Sequence, residues 1–178
     1  MSEVIRTATE VLFQSDRFTL ARESFTTPDG PVTRPVIHHP GAVAIIAQPT
    51  PSTLLLVRQY RYPIQRWTLE IPAGTRVPGE APEATAHREL QEEAGFAASC
   101  LDELTRLYPA VGVSDEEMIL YRAKGLTEVP AAPEHGELVR REITALSDLP
   151  RLWSEGLLCD AKTIIACHLL GVPLISCA

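Results

Sequence analysis

Glu89, Glu92 and Glu93 stand at i, i+3, i+4 in the run His87-Arg88-Glu89-Leu90-Gln91-Glu92-Glu93-Ala94-Gly95. In a helix this spacing puts all three carboxylates on one face. Like charges so placed repel, and Arg88, one turn from Glu92, offsets only part of the charge. The remainder asks for a cation, and an all-oxygen donor set suits a hard divalent ion, Mg²⁺ or Mn²⁺. Such an ion neutralises a pyrophosphate, polarises a phosphoryl oxygen and lowers the pKa of a bound water. The chemistry in view is attack of water on phosphorus, with electrostatic stabilisation dominant. The plain alternative for any Glu-rich helix is a solvated acidic face.

The elements around the carboxylates shift that balance. A Pro78-Gly79 turn leads to Pro82, tolerated in a first helical turn, and helix formers run from Glu83 until Gly95 stops them. Over residues 74–96, Gly74, Glu80, Arg88, Glu89, Leu90, Glu92, Glu93, Gly95 and Phe96 fit G-x5-E-x7-R-E-U-x-E-E-x-G-U, where U is a bulky apolar residue. At usages near ~7 % per residue type, a chance match is of order 10⁻⁸ per starting position. The stretch therefore resembles the box of the Nudix hydrolase family. That resemblance implies Glu89, Glu92 and Glu93 as metal ligands, joined by the carbonyl of Ala73, with Arg88 orienting the glutamates. Glu80 reads as a helix-start residue favoured by the dipole, with a weaker claim to the metal. Leu90 and Phe96 are expected in the core, and His87 at the surface.

The 178 residues suit one domain with a small appendage. A net charge of −7 speaks against general affinity for nucleic acid or anionic membranes, so arginines must gather locally if a phosphorylated substrate binds. No apolar run has the length of a membrane span, and Met-Ser-Glu-Val-Ile-Arg is no signal peptide. Cys100, Cys159, Cys167 and Cys177 have no metal-binding spacing and read as free thiols of a cytoplasmic protein, a structural disulfide being the alternative.

Along the chain, Glu10–Gln14, Arg17–Thr27 and Val32–His39 read as three strands, with a turn at Pro28-Asp29-Gly30. So small an antiparallel meander is marginal alone and must pack on the rest of the chain or on a partner. His39-Pro40-Gly41 marks a boundary, giving an N-terminal meander over 1–40 and a catalytic unit over 41–178. Strands are expected at Ala42–Ala47, Thr53–Tyr60, Trp67–Ile71, Leu101–Leu107, Met118–Ala123 and Glu137–Ile143. Thr127–Gly136 reads as an exposed loop. Asp148–Ser154 is a short helix, and Asp160 caps a last helix, Ala161–Leu170, that Gly171 ends. His168 on it is expected to be a partly buried packing residue. Sheets flanked by helices give an α/β (α+β) sandwich. The resemblance implies the same architecture: a mixed sheet between helices.

Substrate choice lies outside the box. Pro40-Gly41-Ala42-Val43-Ala44, Leu56-Val57-Arg58-Gln59-Tyr60-Arg61, Glu70-Ile71-Pro72-Ala73-Gly74, Tyr108 to Glu116, and Gly156 to Thr163 together resemble the ADP-ribose and nucleotide-sugar pyrophosphatase branch. The branch implies that Arg61 contacts phosphate and that Arg34 serves across a subunit boundary. It implies that Glu70 binds substrate or lines the pocket, and that Glu116, on a loop over the metal site, is the general base. Glu92 and Glu93 compete for that last role. Trp67 reads as packing rather than stacking. Val111 stands where the branch carries proline, which loosens the expectation of strict ADP-ribose preference.

The expected function is metal-dependent hydrolysis of a nucleoside diphosphate joined to a sugar, ADP-ribose first, giving AMP and ribose 5-phosphate. Another nucleotide sugar or FAD is the alternative. A non-catalytic nucleotide-binding regulatory module is the alternative of a different class. The expected partner beside the small-molecule nucleotide is a second copy of the chain, with Val11–His39 contributing to the partner's site; no nucleic acid or membrane is expected.

Overall fold

The structure, a computed structural model, describes residues 3–132 and 138–175. Its centre is set by β4 (Ala42–Ala47), six residues all buried. Alternate side chains of β4 enter two separate apolar layers, as the pleat requires. Ala42, Ala44 and Ile46 face one layer with Leu54, Leu56, Leu69, Met118 and Leu120. Val43, Ile45 and Ala47 face the other with Leu55, Val57, Ile119 and Tyr121.

Two sheets share the middle of this sandwich. One is mixed, in the order β7 (Ala73–Thr75), β4, β10 (Met118–Lys124), β9 (Cys100–Leu107), with β4 and β10 parallel. The other is antiparallel, in the order β12 (Val139–Ala145), β5 (Thr53–Arg61), β6 (Arg66–Glu70). The helix α1 (Pro82–Ala94) covers one face through Ala86, Leu90 and Ala94. The helices α2 (Leu149–Ser154) and α3 (Ala161–Leu169) cover the other through Leu149, Leu152, Ala166 and Cys167. The expected α/β/α arrangement is present, with its middle layer split into two sheets. Burial raises the pKa of the Cys167 thiol to about 11, so it stays protonated.

The N-terminal strands β1 (Ile5–Gln14), β2 (Thr19–Thr27) and β3 (Gly30–His38) form a separate antiparallel meander. Gly30, at φ 116°, makes the β2–β3 turn. β1 begins at Ile5 rather than Glu10; every one of its residues is exposed, so no one-sided burial imposes the alternation that marks a strand. The meander joins the sandwich where Ile37 N–H donates to the Val113 carbonyl (2.8 Å) and Asp115 N–H to the Ile37 carbonyl (3.1 Å).

Other boundaries also differ from expectation. Thr127–Glu128 forms a short strand (β11) that pairs with β8 (Phe96–Ala97) where a loop is expected. Its neighbour Val129 donates to the Gly95 carbonyl at 2.9 Å, and Ala132 to Glu92 at 3.3 Å. The end of α1 leaves carbonyls without helical partners, and this segment supplies donors to them. The rest of the expected loop, 133–136, and Glu137 lie outside the described residues, as does Cys177. α1 starts at Pro82, and Gly95 closes it at φ 66°. Asp160 caps α3 by accepting from Thr163 N–H at 3.1 Å. His168 is exposed, not partly buried, because it falls on the outer side of α3, opposite Ala166 and Cys167. Among the described residues no helix is long and apolar enough to cross a membrane.

Candidate active site

The box glutamates stand where α1 meets β7. β7 pairs with β4 through Ala44↔Ala73 and Val43↔Gly74, which lays its backbone along α1. Approach is close enough that a Cβ on Gly74 would lie 2.0 Å from Glu89 Cδ, so any larger residue here would displace the Glu89 carboxylate. The Ala73 N–H donates to Glu93 Oε2 at 3.0 Å. Arg88 lies 2.7 Å from Glu89 Oε1 and 2.8 Å from Glu92 Oε2, with Glu80 Oε2 at 3.6 Å. Burial opposes the Arg88 charge, but Glu89 and Glu92 outweigh it and raise the pKa further. Glu80 also accepts from Thr85 Oγ1 at 2.8 Å, which closes the first turn of α1. His87 is exposed, and Leu90 and Phe96 are buried.

These donors fit a hard divalent cation: all are oxygens, and the missing Cβ of Gly74 leaves the room that the Glu89 carboxylate fills. Among the described residues no three ligand-type side chains already stand at mutual metal-binding distances. The Arg88 guanidinium fills the gap between Glu89 and Glu92 instead.

A cleft of about 350 Å³ opens beside the cluster. Ala73, Gly74, Arg88, Glu89, Glu92 and Glu93 line it together with Arg17, Gln59 and Arg61. A second space of about 340 Å³ shares Arg17, Gln59 and Arg61 and adds Tyr60, Tyr62 and Pro63. Tyr60 packs edge-on to both Tyr62 and Trp67, with ring centres 5.2 and 5.6 Å apart. Trp67 thus has its packing contact and is still 41 % exposed. Oxygen ligands and guanidinium groups line the same cleft, a combination suited to an anionic ligand carrying a cation.

Arg61 reaches the cleft from a fixed base. Its Nε and Nη2 donate to the two oxygens of Glu70 at 2.7 and 2.5 Å. Glu70 is 1 % exposed and also accepts from Thr68 Oγ1 at 2.6 Å and from Lys162 Nζ. Both its oxygens are therefore occupied by protein donors, which supports a role in holding Arg61 rather than in direct contact with substrate. Arg34 is exposed, donates to the Thr33 carbonyl at 2.9 Å, and does not line this chain's cleft.

The loop that carries Glu116 is tied down by its neighbours. Asp115 meets His38 Nδ1 at 2.7 Å and accepts from His39 N–H at 2.8 Å. The hydrogen bond to Asp115 is the main cause of the raised His38 pKa, with Glu23, 3.1 Å from Nε2, adding to it. Glu117 pairs with Arg106 at 3.4 Å and, more distantly, with Arg76 at 3.9 Å. Among the described residues the Glu116 carboxylate alone in this trio has no such partner, while its backbone N–H donates to Ser114 Oγ at 3.1 Å.

Arg17, Gln59 and Lys162 escaped the sequence reading as site residues. Arg17 sits in the turn between β1 and β2, stabilised by Ser15 N–H donating to the Phe18 carbonyl at 3.0 Å; nothing local in sequence aims that turn at the cleft. Lys162 lies within the Gly156 to Thr163 segment, which did carry a signal, but the burial of its side chain is a long-range outcome.

Glu70 makes a pH-dependent contribution of known sign. Burial opposes its ionisation, yet the Arg61 hydrogen bonds and the charges of Lys162 and Arg61 bring its pKa from 4.5 down to about 2. A lowered folded-state value stabilises the fold above pH 4.5, and the benefit is lost as pH falls toward 2. The contribution at neutral pH is about 3 kcal/mol. Urea unfolding should show Glu70→Gln less stable at neutral pH, with a shallower loss of stability below pH 4.5 than wild type. Equal pH slopes would contradict the ion-paired carboxylate.

Comparison with known proteins places this geometry. The NUDIX domain profile matches residues 37–158. The chain is 35% identical over 166 residues, 92% of this chain and 90% of the other, to the ADP-ribose pyrophosphatase of Bacillus subtilis (strain 168). It is 35% identical over 91% of its length, and 89% of the other's, to the methanol dehydrogenase activator of Bacillus methanolicus. The ADP-ribose pyrophosphatase of Mycobacterium tuberculosis (strain ATCC 25618 / H37Rv) is 42% identical over 73% of this chain and 64% of its own. An ADP compounds hydrolase of known crystal structure superimposes with a TM-score of 0.80 at 23% identity, over 96% of this chain and 94% of that one, and shows the fold. With the domain spanning residues 37–158 and relatives at 35% and 42% identity, the chain belongs to the Nudix family and is a Nudix hydrolase.

Proposed function

We propose that this hydrolase cleaves the pyrophosphate bond of a nucleoside diphosphate joined to a sugar, ADP-ribose first, giving AMP and ribose 5-phosphate. The carrying observation is that Glu89, Glu92 and Glu93 line one cleft together with Arg61 and Arg17. The names of the B. subtilis and M. tuberculosis relatives support the substrate. A divalent ion, Mg²⁺ or Mn²⁺, held by Glu89, Glu92, Glu93 and the carbonyl of Ala73, would supply charge neutralisation and a more acidic bound water.

The chain's own groups then have distinct tasks. Arg88 bridges Glu89 and Glu92 and keeps the two carboxylates together. Arg61, anchored by Glu70, meets a phosphate, and Arg17 adds a second positive charge at the same cleft. Glu116 takes the proton of the attacking water, a role favoured by its unpaired carboxylate on a tethered loop. Glu92 and Glu93 are the competing bases.

A non-catalytic regulatory module is the second reading, favoured by the B. methanolicus relative, whose name is that of an enzyme activator. Complete box carboxylates weigh against it. Incubation with Mg²⁺ and a panel of ADP-ribose, nucleotide sugars and FAD should release nucleoside monophosphate. Glu93→Gln should lower turnover at least a hundredfold while nucleotide binding persists. No metal-dependent release from any compound would sink the enzyme reading for these substrates and leave the module.

The meander is the proposed dimerising unit, in a cytoplasmic protein to which the free Cys100, Cys159 and Cys167 are suited. β1 is a sheet edge with Val11, Leu12 and Phe13 between 43% and 57% exposed, a surface that pairing would cover. In the proposed dimer Arg34, on β3, serves the partner's cleft. Sedimentation should give twice the 19.5 kDa chain mass. A fully active monomer would refute this arrangement.

A further inference from the structure

Lys162 is a buried ammonium that the proposed hydrolysis does not use. Its side chain is 9% exposed, and it contacts Glu70 Oε2 and, at 2.9 Å, Asp160 Oδ1. A buried lysine costs several kcal/mol unless paired, so a hydrophobic residue of similar length would be the simpler choice here. Its partner Glu70 holds Arg61, one of the guanidinium groups in the cleft.

We propose that Lys162 is a positioning residue for substrate binding: by sharing Glu70 Oε2 with Arg61 and neutralising that carboxylate, it leaves the Arg61 charge available to a phosphate. The proposal rests on the reading that Arg61 meets phosphate. Without Lys162, Glu70 would cancel the Arg61 charge, and Asp160 would add a negative charge behind a cleft already lined by Glu89, Glu92 and Glu93. With Lys162, the group of Arg61, Lys162, Glu70 and Asp160 balances, and the positive end nearest the cleft is Arg61, whose side chain is 39% exposed against 2% for Glu70.

The ammonium is held in place by the start of α3. Asp160 Oδ1 accepts both Lys162 Nζ and the Thr163 N–H, at 2.9 and 3.1 Å, so one carboxylate caps the helix and fixes the lysine. Thr163 Oγ1 accepts from Ile71 N–H at 3.0 Å, which ties the same turn to the strand that runs on into Ala73 and Gly74. The helix start thereby sets the register between the Arg61 anchor and the metal-side backbone.

The test pairs steady-state kinetics on ADP-ribose with calorimetric titration of ADP-ribose into the metal-free protein. Lys162→Met keeps the length and removes the charge; KM and Kd should each rise about tenfold. Turnover at saturation should stay within about threefold of wild type, because the charge acts on binding. Lys162→Arg should retain most of the affinity. Lys162→Gln, which can keep a hydrogen bond to Glu70 but carries no charge, should weaken binding as Lys162→Met does and guards against misfolding of that single variant.

A folded Lys162→Met protein with wild-type KM and Kd would overturn the proposal. So would Lys162→Arg as impaired as Lys162→Met, or Lys162→Gln with wild-type affinity. Arg61→Ala separates the two levels. If it leaves affinity unchanged, the phosphate reading of Arg61 fails and this proposal fails with it. If Arg61→Ala weakens binding and Lys162→Met does not, the Lys162 role alone fails.

Discussion

Three carboxylates on one face of α1 repel one another, and each feature around them answers that repulsion. Arg88, inside the same helix, bridges Glu89 and Glu92. The Ala73 N–H satisfies Glu93, which is only 7% exposed. A buried carboxylate without a donor would cost more than the helix could return. β7 lies against α1, and the bare Gly74 leaves the space that the Glu89 carboxylate occupies. The pairing of β7 with β4 fixes that approach, and β4 is in turn buried on both faces. The reactive carboxylates therefore depend on the most buried strand of the molecule.

The guanidinium lining of the cleft is a second solution to the same electrostatic problem. A protein with a net charge of −7 must gather positive charge locally to accept a phosphate ester. Arg61 brings a guanidinium to the cleft from the end of β5, and Glu70 on β6 holds it bidentately. A carboxylate serving as anchor would ordinarily cancel what it holds. On the proposal above Lys162, at the start of α3, prevents that, so α1 lines the cleft and α3 acts on it through Glu70 and Arg61. Arg17 arrives from the meander, which is why the N-terminal strands belong to the site within a single chain.

Local signals in the sequence found what local physics determines. Pro82 and Gly95 bound α1 because proline suits a first helical turn and glycine a left-handed closure. Ala42–Ala47 was legible as a buried strand because it is apolar without interruption. The spacing of Glu89, Glu92 and Glu93 stated their common face. Long-range outcomes left no such mark. Nothing near Thr127 shows that the end of α1 needs donors. The exposed β1 lacks the alternation that burial on one side would impose. Lys162 and Arg17 look like ordinary surface residues until folding brings one beneath Glu70 and the other beside Arg61. The three protein donors to Glu70 are likewise contacts that only the fold reveals.

In the proposed function, the face of α1 carrying Glu89, Glu92 and Glu93 is a divalent-cation site. Titration of Mn²⁺ into the nucleotide-free protein, followed by the electron paramagnetic resonance signal of the free ion, tests it without any substrate. Wild type should take up Mn²⁺ saturably, and a Glu89→Gln/Glu92→Gln variant should bind at least tenfold more weakly while keeping its circular dichroism spectrum. Equal affinity in the two folded proteins would place the metal elsewhere and contradict the account.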